Sequence, residues 1–138
     1  MWIYNGEEFT SDMIKEFVGF VYEIENLQTG KKYIGKKKFW SKVTRPPLKG
    51  KKNKRRSIKE SNWQEYYGSN TEVKILVEQL GPSNFKRTIL HLCKSLGEMS
   101  YIEAKEQFDR EVLFKPDEYY NGIIQCRINR KHLCTNSK

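Results

Sequence analysis

GFVYEIENLQTGKKYIGKKK, residues 19–38, reads as a β-hairpin. Phe20, Tyr22 and Ile24 alternate with Val21, Glu23 and Glu25, the period of a strand. Asn26 to Gly30 supplies turn chemistry, with Gly30 able to take positive φ, and Lys32-Tyr33-Ile34-Gly35 returns. Val21, Tyr22, Tyr33, Ile34 and Gly35 are the residues of interest. Directly opposite side chains in such a pair lie about 5 Å apart, so the hairpin can set the phenols of Tyr22 and Tyr33 side by side. Ordinary strand aromatics would give the same pattern, and the rest of the chain bears on the choice.

The chain has 138 residues, which suits one domain with a small core. No run of 18 apolar residues and no signal-peptide pattern occurs. The expectation is a soluble, cytoplasmic chain. Three cysteines, an odd number, suit a reducing compartment. His91-x-Cys93 and His132-x-Cys134 lack the tighter paired-cysteine spacing of structural zinc sites. The net charge of +9 is concentrated: Lys31 to Lys59 holds fourteen basic residues and no acidic one. Such a block beside a hairpin points to a polyanion partner. It shows no amphipathic helix pattern, which argues against a membrane surface. A solvated loop is the bland alternative.

Along the chain, residues 1–18 form an N-terminal extension without assigned chemistry. Asn5-Gly6 marks a tight turn, and Met13, Ile14 and Phe17 suggest a short helix after the Thr10-Ser11-Asp12 capping cluster. A basic insertion spans 36–60. Pro46 and Pro47 forbid a helix there, and Lys49 to Lys54 reads as a loop. Ser69-Asn70 caps a helix whose face is Val73, Leu76, Val77 and Leu80, stopped by Gly81-Pro82. Phe85 to Leu92 alternates as a third strand. Met99 to Phe114 carries a stripe of Met99, Ile102, Phe108, Val112 and Leu113, with Glu103 and Glu106 among its acids. Ile123 to Ile128 suggests a short strand, and 126–138 a loose basic tail.

Val21-Tyr22 followed by Tyr33-Ile34-Gly35 resembles the paired motif of the GIY-YIG nuclease family. The second half is a full match. In the first half Phe20 stands in the glycine slot, with Gly19 one place early. The order hairpin, helix, glycine turn, strand, acidic helix and Tyr120-Asn121 resembles the family as well, so the likeness covers roughly Gly19 to Asn121, within a domain of 19–125. It implies an α/β fold, a small three-stranded, mostly antiparallel sheet flanked by helices. Free-standing nucleases of this size resemble those of bacteriophages and mobile elements, whose compartment is the cytoplasm of a bacterial host.

The resemblance implies hydrolysis of a DNA phosphodiester, with double-stranded DNA as partner and one Mg²⁺ or Mn²⁺ as cofactor. A hard cation takes oxygen ligands and few protein carboxylates. The family's helix glutamate falls on Glu103, in Ile102-Glu103-Ala104, in preference to Glu106. Tyr22 and Tyr33 would flank the attacking water, with Tyr22 the first choice as general base. Its ordinary pKa of about 10 would have to be lowered, or its proton passed on through water. An arginine would stabilise developing charge. The family's arginine follows the Tyr-Ile-Gly strand directly, and here the insertion leaves Arg55 and Arg56 as candidates. Asn121 matches the family's asparagine. Lys36, Lys37, Lys38, Lys49, Lys51, Lys52 and Lys54 are the candidate phosphate contacts. The alternative function is a nucleic-acid-binding module that kept the fold and lost activity.

Overall fold

The computed structural model describes residues 1–50 and 55–134, with side chains placed for all of these except Thr44, Arg45, Arg55, Arg56 and Cys134. In chain order the strands are β1 (Trp2–Tyr4), β2 (Glu7–Glu8), β3 (Gly19–Asn26), β4 (Lys32–Lys38), β5 (Trp40–Arg45), β6 (Arg55–Glu60) and β7 (Phe85–Cys93). The helices are α1 (Thr71–Leu80), α2 (Leu96–Asp109) and α3 (Arg130–Cys134).

The hairpin forms where the alternation puts it. β3 and β4 pair antiparallel, Tyr22 opposite Gly35 and Ile24 opposite Tyr33. Gly30 takes φ 76° and donates its N–H to the Asn26 carbonyl at 2.7 Å, closing the turn. β7 pairs antiparallel with the other side of β3, with a register shift between Val21 and Tyr22. The expected three strands are therefore present, but the sheet is larger and mixed: its order is β2-β1-β7-β3-β4. Asn5-Gly6 joins β1 to β2 as a hairpin, and β1 runs parallel to β7 with Trp2 opposite Arg87. Strands of three and two residues are too short to show a period, so the sequence pattern missed them. Trp2 anchors this addition: it is buried, and its Nε1 donates to the Trp63 carbonyl at 2.6 Å.

The period of β3 divides the core in two. Phe20, Tyr22 and Ile24 face an aromatic cluster with Trp2, Phe39, Trp63 and Val73 of α1. Val21 faces the other way, with Ile34, Cys93, Met99 and Val112 under α2. Asn70 caps α1 by accepting from Val73 N–H at 3.0 Å, and Ser95 caps α2 by accepting from Glu98 N–H at 3.0 Å.

Locally, one element is unforeseen and three expectations need correction. Within the basic insertion, outside the Lys49 to Lys54 stretch, β5 and β6 form a separate two-stranded ribbon that the sequence pattern left unassigned, Trp40 opposite Glu60 and Arg45 opposite Arg55. The looplike reading of 51–54 lies outside the described residues. α2 ends at Asp109, and Glu111 turns left-handed at φ 55° before a 3₁₀ turn over Val112–Phe114. That break takes Leu113 off the helical stripe; Leu113 and Phe108 are exposed, while Met99 and Val112 are buried. Around Met13 only a 3₁₀ turn, Ser11–Met13, forms. Ile123 to Ile128 is irregular rather than a strand. Among the described residues no helix is long and apolar enough to cross a membrane.

Candidate active site

β4 lies at the edge of the sheet, and the site is built across it. On the aromatic face, Tyr22 and Tyr33 sit with ring centroids 6.2 Å apart and tilted by 42°. The glycine of Tyr33-Ile34-Gly35 is what lets them approach. A Cβ on Gly35 would land on the Tyr22 hydroxyl, 2.6 Å from its ring carbon Cζ and 3.0 Å from Cε2 of Tyr33. The displaced glycine of the first motif has its own reason. A Cβ on Gly19 would meet the Lys37 carbonyl at 2.6 Å and Cε of Met99 at 2.7 Å, where α2 packs on the strand. Phe20, in the family's glycine slot, is wholly buried in the aromatic core.

Tyr66 joins the pair, edge-on to Tyr22 at 6.0 Å, with Lys37 Nζ over its ring at 4.2 Å from the centroid. Tyr66 follows a single 3₁₀ turn, Trp63–Glu65. Arg87 pins that segment: its Nη1 donates to the Gln64 and Tyr66 carbonyls at 2.8 and 2.9 Å, and its guanidinium lies over the rings of Trp2 and Tyr67.

On the other face, α2 projects Glu103 and Gln107, one turn apart, toward β4. Lys36 reaches both helix and carboxylate. Its Nζ donates to Ser100 Oγ at 2.8 Å and lies 3.8 Å from Glu103 Oε1. The chain then seals the lower edge of β4. Lys32 N–H donates to the Glu118 carbonyl at 2.9 Å, and Tyr120 N–H to the Lys32 carbonyl at 2.7 Å. Asn121 continues this ladder with its side chain. Its Oδ1 accepts from Ile34 N–H at 3.0 Å, and its Nδ2 donates to the Ile34 carbonyl at 2.8 Å. Gln107 Nε2 donates to that same carbonyl at 3.1 Å. Both hydrogen-bonding ends of the Asn121 amide are committed to β4, so its evident work is to fix the strand edge.

These residues line a cleft of about 380 Å³, with Tyr33 on one wall, Lys36, Glu103 and Gln107 on the other, and Asn121, Ser69 and Asn70 around it. Tyr33 Oη and Ser69 Oγ lie 3.2 Å apart. Burial pushes the Glu103 carboxyl above its ordinary range, against the pull of Lys36. Burial also raises Tyr33, with Ser69 pulling the other way. Tyr22 is held well above 10, first by burial and then by Tyr66, Tyr33 and Glu103. Tyr66 lies close enough to weigh on the Tyr22 hydroxyl, which still meets no hydrogen-bond geometry. For a group expected to give up its proton, these environments act in the opposite direction. Only two buried side-chain atoms are without a hydrogen-bond partner among the described residues, Tyr22 Oη and Gln107 Oε1.

The other candidates fall elsewhere. Glu106 points to β7 and β3. Burial pushes it up, but hydrogen bonds from His91 at 2.7 Å and Arg110 at 3.0 Å hold it low. Arg110 also binds Glu23 at 2.8 Å. Arg55 and Arg56 pair with Arg45 and Thr44, at the end of the ribbon away from the Trp40–Glu60 pair. Lys49 stands in the turn region beyond β5, and Lys51, Lys52 and Lys54 lie outside the described residues. Lys38 is exposed at the end of β4. No group of three or more His, Cys, Asp or Glu converges among the described residues. A cation here would rest on the single carboxylate of Glu103. Sequence reasoning missed Tyr66, Ser69 and Gln107. Of these Gln107 was findable, because residues at i and i+4 share a helix face with Glu103.

A tyrosine pair beside a strand edge, a helix glutamate and an edge-binding asparagine are the arrangement that the paired motif leads to, and comparison with known proteins shows the family. A family model described as "Putative endonuclease segE, GIY-YIG domain" matches residues 2–124. The chain belongs to the GIY-YIG endonuclease family. It is similar to "Putative endonuclease segE" of Enterobacteria phage T4, 34% identical over 102 residues, which cover 74% of this chain and 39% of that relative. The match thus spans well under half the relative's length. No solved structure matches the chain.

Proposed function

We propose that this chain is a divalent-metal-dependent endonuclease that hydrolyses phosphodiester bonds of double-stranded DNA, in the cytoplasm of a bacterial host. The observation that carries the reading is the cleft across β4, where Tyr33, Lys36 and Glu103 meet from opposite faces of the sheet. The donor set fits a hard cation: one carboxylate, an amide oxygen and hydroxyls, all oxygen. Glu103 would hold Mg²⁺ or Mn²⁺, with phosphate and water oxygens completing its shell. Bound there, the ion would neutralise charge on the phosphoryl oxygens and on the leaving oxygen.

The chain's own residues do the rest. Lys36, beside Glu103, adds positive charge where the phosphate enters. Tyr33 faces the cleft and orients the attacking water. A neutral phenol can accept a proton only while giving up its own. Ser69 Oγ, 3.2 Å away, is in place to take it and release it to solvent. Tyr22 then acts from behind, as the buried group that fixes the Tyr33 ring. Arg55 or Arg56 would meet the developing negative charge once DNA draws the ribbon in. Lys37 and Lys38 of β4, Lys42 and Lys59 of the ribbon, and Lys49, Lys51, Lys52 and Lys54 of the basic insertion are the phosphate contacts. A two-stranded ribbon of this size fits the major groove.

The second reading, a binding module without activity, draws support from the raised pKa values of Tyr22 and Tyr33 and from Phe20 in the glycine slot. Supercoiled plasmid with Mg²⁺, Mn²⁺ or EDTA separates the two. Nicked or linear product that appears only with metal is expected. Shifted but covalently closed plasmid, at protein in excess over sites, would leave the binding module standing.

A further inference from the structure

We infer that Gln107 is a second metal-side residue, whose Oε1 accepts a hydrogen bond from a water in the hydration shell of the divalent cation held by Glu103. The inference rests on Glu103 as the cation's ligand and adds a residue to that site.

The orientation of the Gln107 amide is fixed by chemistry. Nε2 sits 3.1 Å from the Ile34 carbonyl, which can only accept, so the nitrogen must face it and the oxygen must face away. That oxygen then has no partner. Gln107 is 4% exposed, so open solvent does not satisfy the atom either. Buried side-chain acceptors are nearly always paired, and an orphan calls for a donor that is not part of the chain.

The place of the orphan narrows the donor. Gln107 stands one helical turn from Glu103, and both line the same cleft. A small hard cation gives up its waters reluctantly and keeps several when one carboxylate binds it. Those waters are polarised donors, and an amide oxygen beside the carboxylate is their natural acceptor. The amide is planar, so Oε1 keeps this direction as long as Nε2 keeps its bond, and it is the water that comes to it. The Ile34 carbonyl is in any case held by Asn121. The amide is therefore not needed merely to satisfy the strand.

The test is Mn²⁺ binding without DNA, followed by electron paramagnetic resonance, with thermal melting of the same metal-free proteins. Gln107→Met keeps length and burial but removes the acceptor. It should weaken Mn²⁺ about tenfold or more, the usual effect of losing an outer-shell partner. Its metal-free melting temperature should change little. Gln107→Glu should bind Mn²⁺ more tightly than wild type, and it serves alone should Gln107→Met not fold. Unchanged Mn²⁺ affinity in both variants overturns the inference. Glu103→Gln tells the two levels apart. If it loses Mn²⁺ while Gln107→Met does not, only the role of Gln107 falls. If it binds as wild type does, the Glu103 site itself falls.

Discussion

The two sides of β4 are built from opposite materials. The side of Tyr22 is aromatic and dry: Trp2, Phe20 and Tyr66 pack around a phenol that is wholly buried and donates to nothing. The side of α2 sets polar groups beside the smaller apolar core: Lys36 is tied to Ser100 beside Glu103, and Gln107 and Asn121 are tied to the strand itself. The dry side stabilises by packing, at about 1.5–3 kcal/mol for each large side chain buried. The polar side holds charge that burial penalises. An edge strand lets the two meet without a buried charge in the core, because Tyr33 and Lys36 are reached from either face.

The sharpest way to break this contrast is at Glu103. Glu103→Gln should lower single-turnover cleavage by about a thousandfold, the upper range for losing an electrostatic group at a reacting centre. Its stability should move the other way. Burial raises this carboxyl, so the folded chain keeps the proton where the unfolded chain has lost it. Stability from this group therefore falls as pH rises from the ordinary carboxylate pKa through the raised one. Above that window Glu103→Gln should melt no lower than wild type, and cleavage by wild type should fade with acid through the same window. A variant that cuts normally would remove the polar side from the chemistry.

The tyrosines divide the dry side. Tyr33→Phe should cost about a hundredfold in cleavage rate, within the range of lost proton transfer. Tyr22→Phe deletes a hydroxyl that has no partner, so it should leave stability unchanged or raise it, with a smaller loss of rate. Equal losses in the two variants, with equal changes in the pH–rate profile, would return the base role to Tyr22.

Much of this was legible. The alternation of Phe20, Tyr22 and Ile24 gave the hairpin, and the helix faces gave α1 and α2 from Met99 to its end. The family resemblance named Tyr33, Glu103 and Asn121, and the fold brings these three side chains to one cleft. What escaped has physical reasons. β1 is held by one tryptophan and by pairing with β7, and β2 by pairing with β1, not by a period of their own. The ribbon hides in a lysine-rich stretch, where charge reads as loop although cross-strand pairing of Lys42 with Ile58 and Val43 with Ser57 makes it a sheet. Tyr66 reaches the site through Arg87, a contact over 21 positions that no local pattern carries.

Gly35→Ala sharpens the contrast at the backbone. Its Cβ would force the Tyr22 ring away from β4, at a cost of about 1–3 kcal/mol for overpacking. Denaturant melts should show that loss, and Tyr22→Phe should relieve part of it, since the hydroxyl is the atom in the way. Fully additive effects would mean that Tyr22 moves freely.

The smallest effect concerns the ribbon, which belongs to neither side. Lys42 and Lys59 are exposed, on opposite strands. Each phosphate they neutralise contributes about −0.9 to the slope of log K against log salt. Lys42→Ala with Lys59→Ala should flatten the slope by up to about two units, and adding Lys51, Lys52 and Lys54 should flatten it further by about two to three. The loss should be similar on unrelated DNA sequences, because phosphate contacts position without specifying. Cleavage of saturating DNA should hardly change, since a pure binding defect is hidden there. Arg55→Ala and Arg56→Ala are the contrast within the ribbon. If one of them meets the reacting phosphate, its rate at saturation falls while its salt slope loses no more than a lysine's share. A slope that no lysine variant alters would mean that the ribbon stands clear of DNA, and the cleft alone would then have to account for binding.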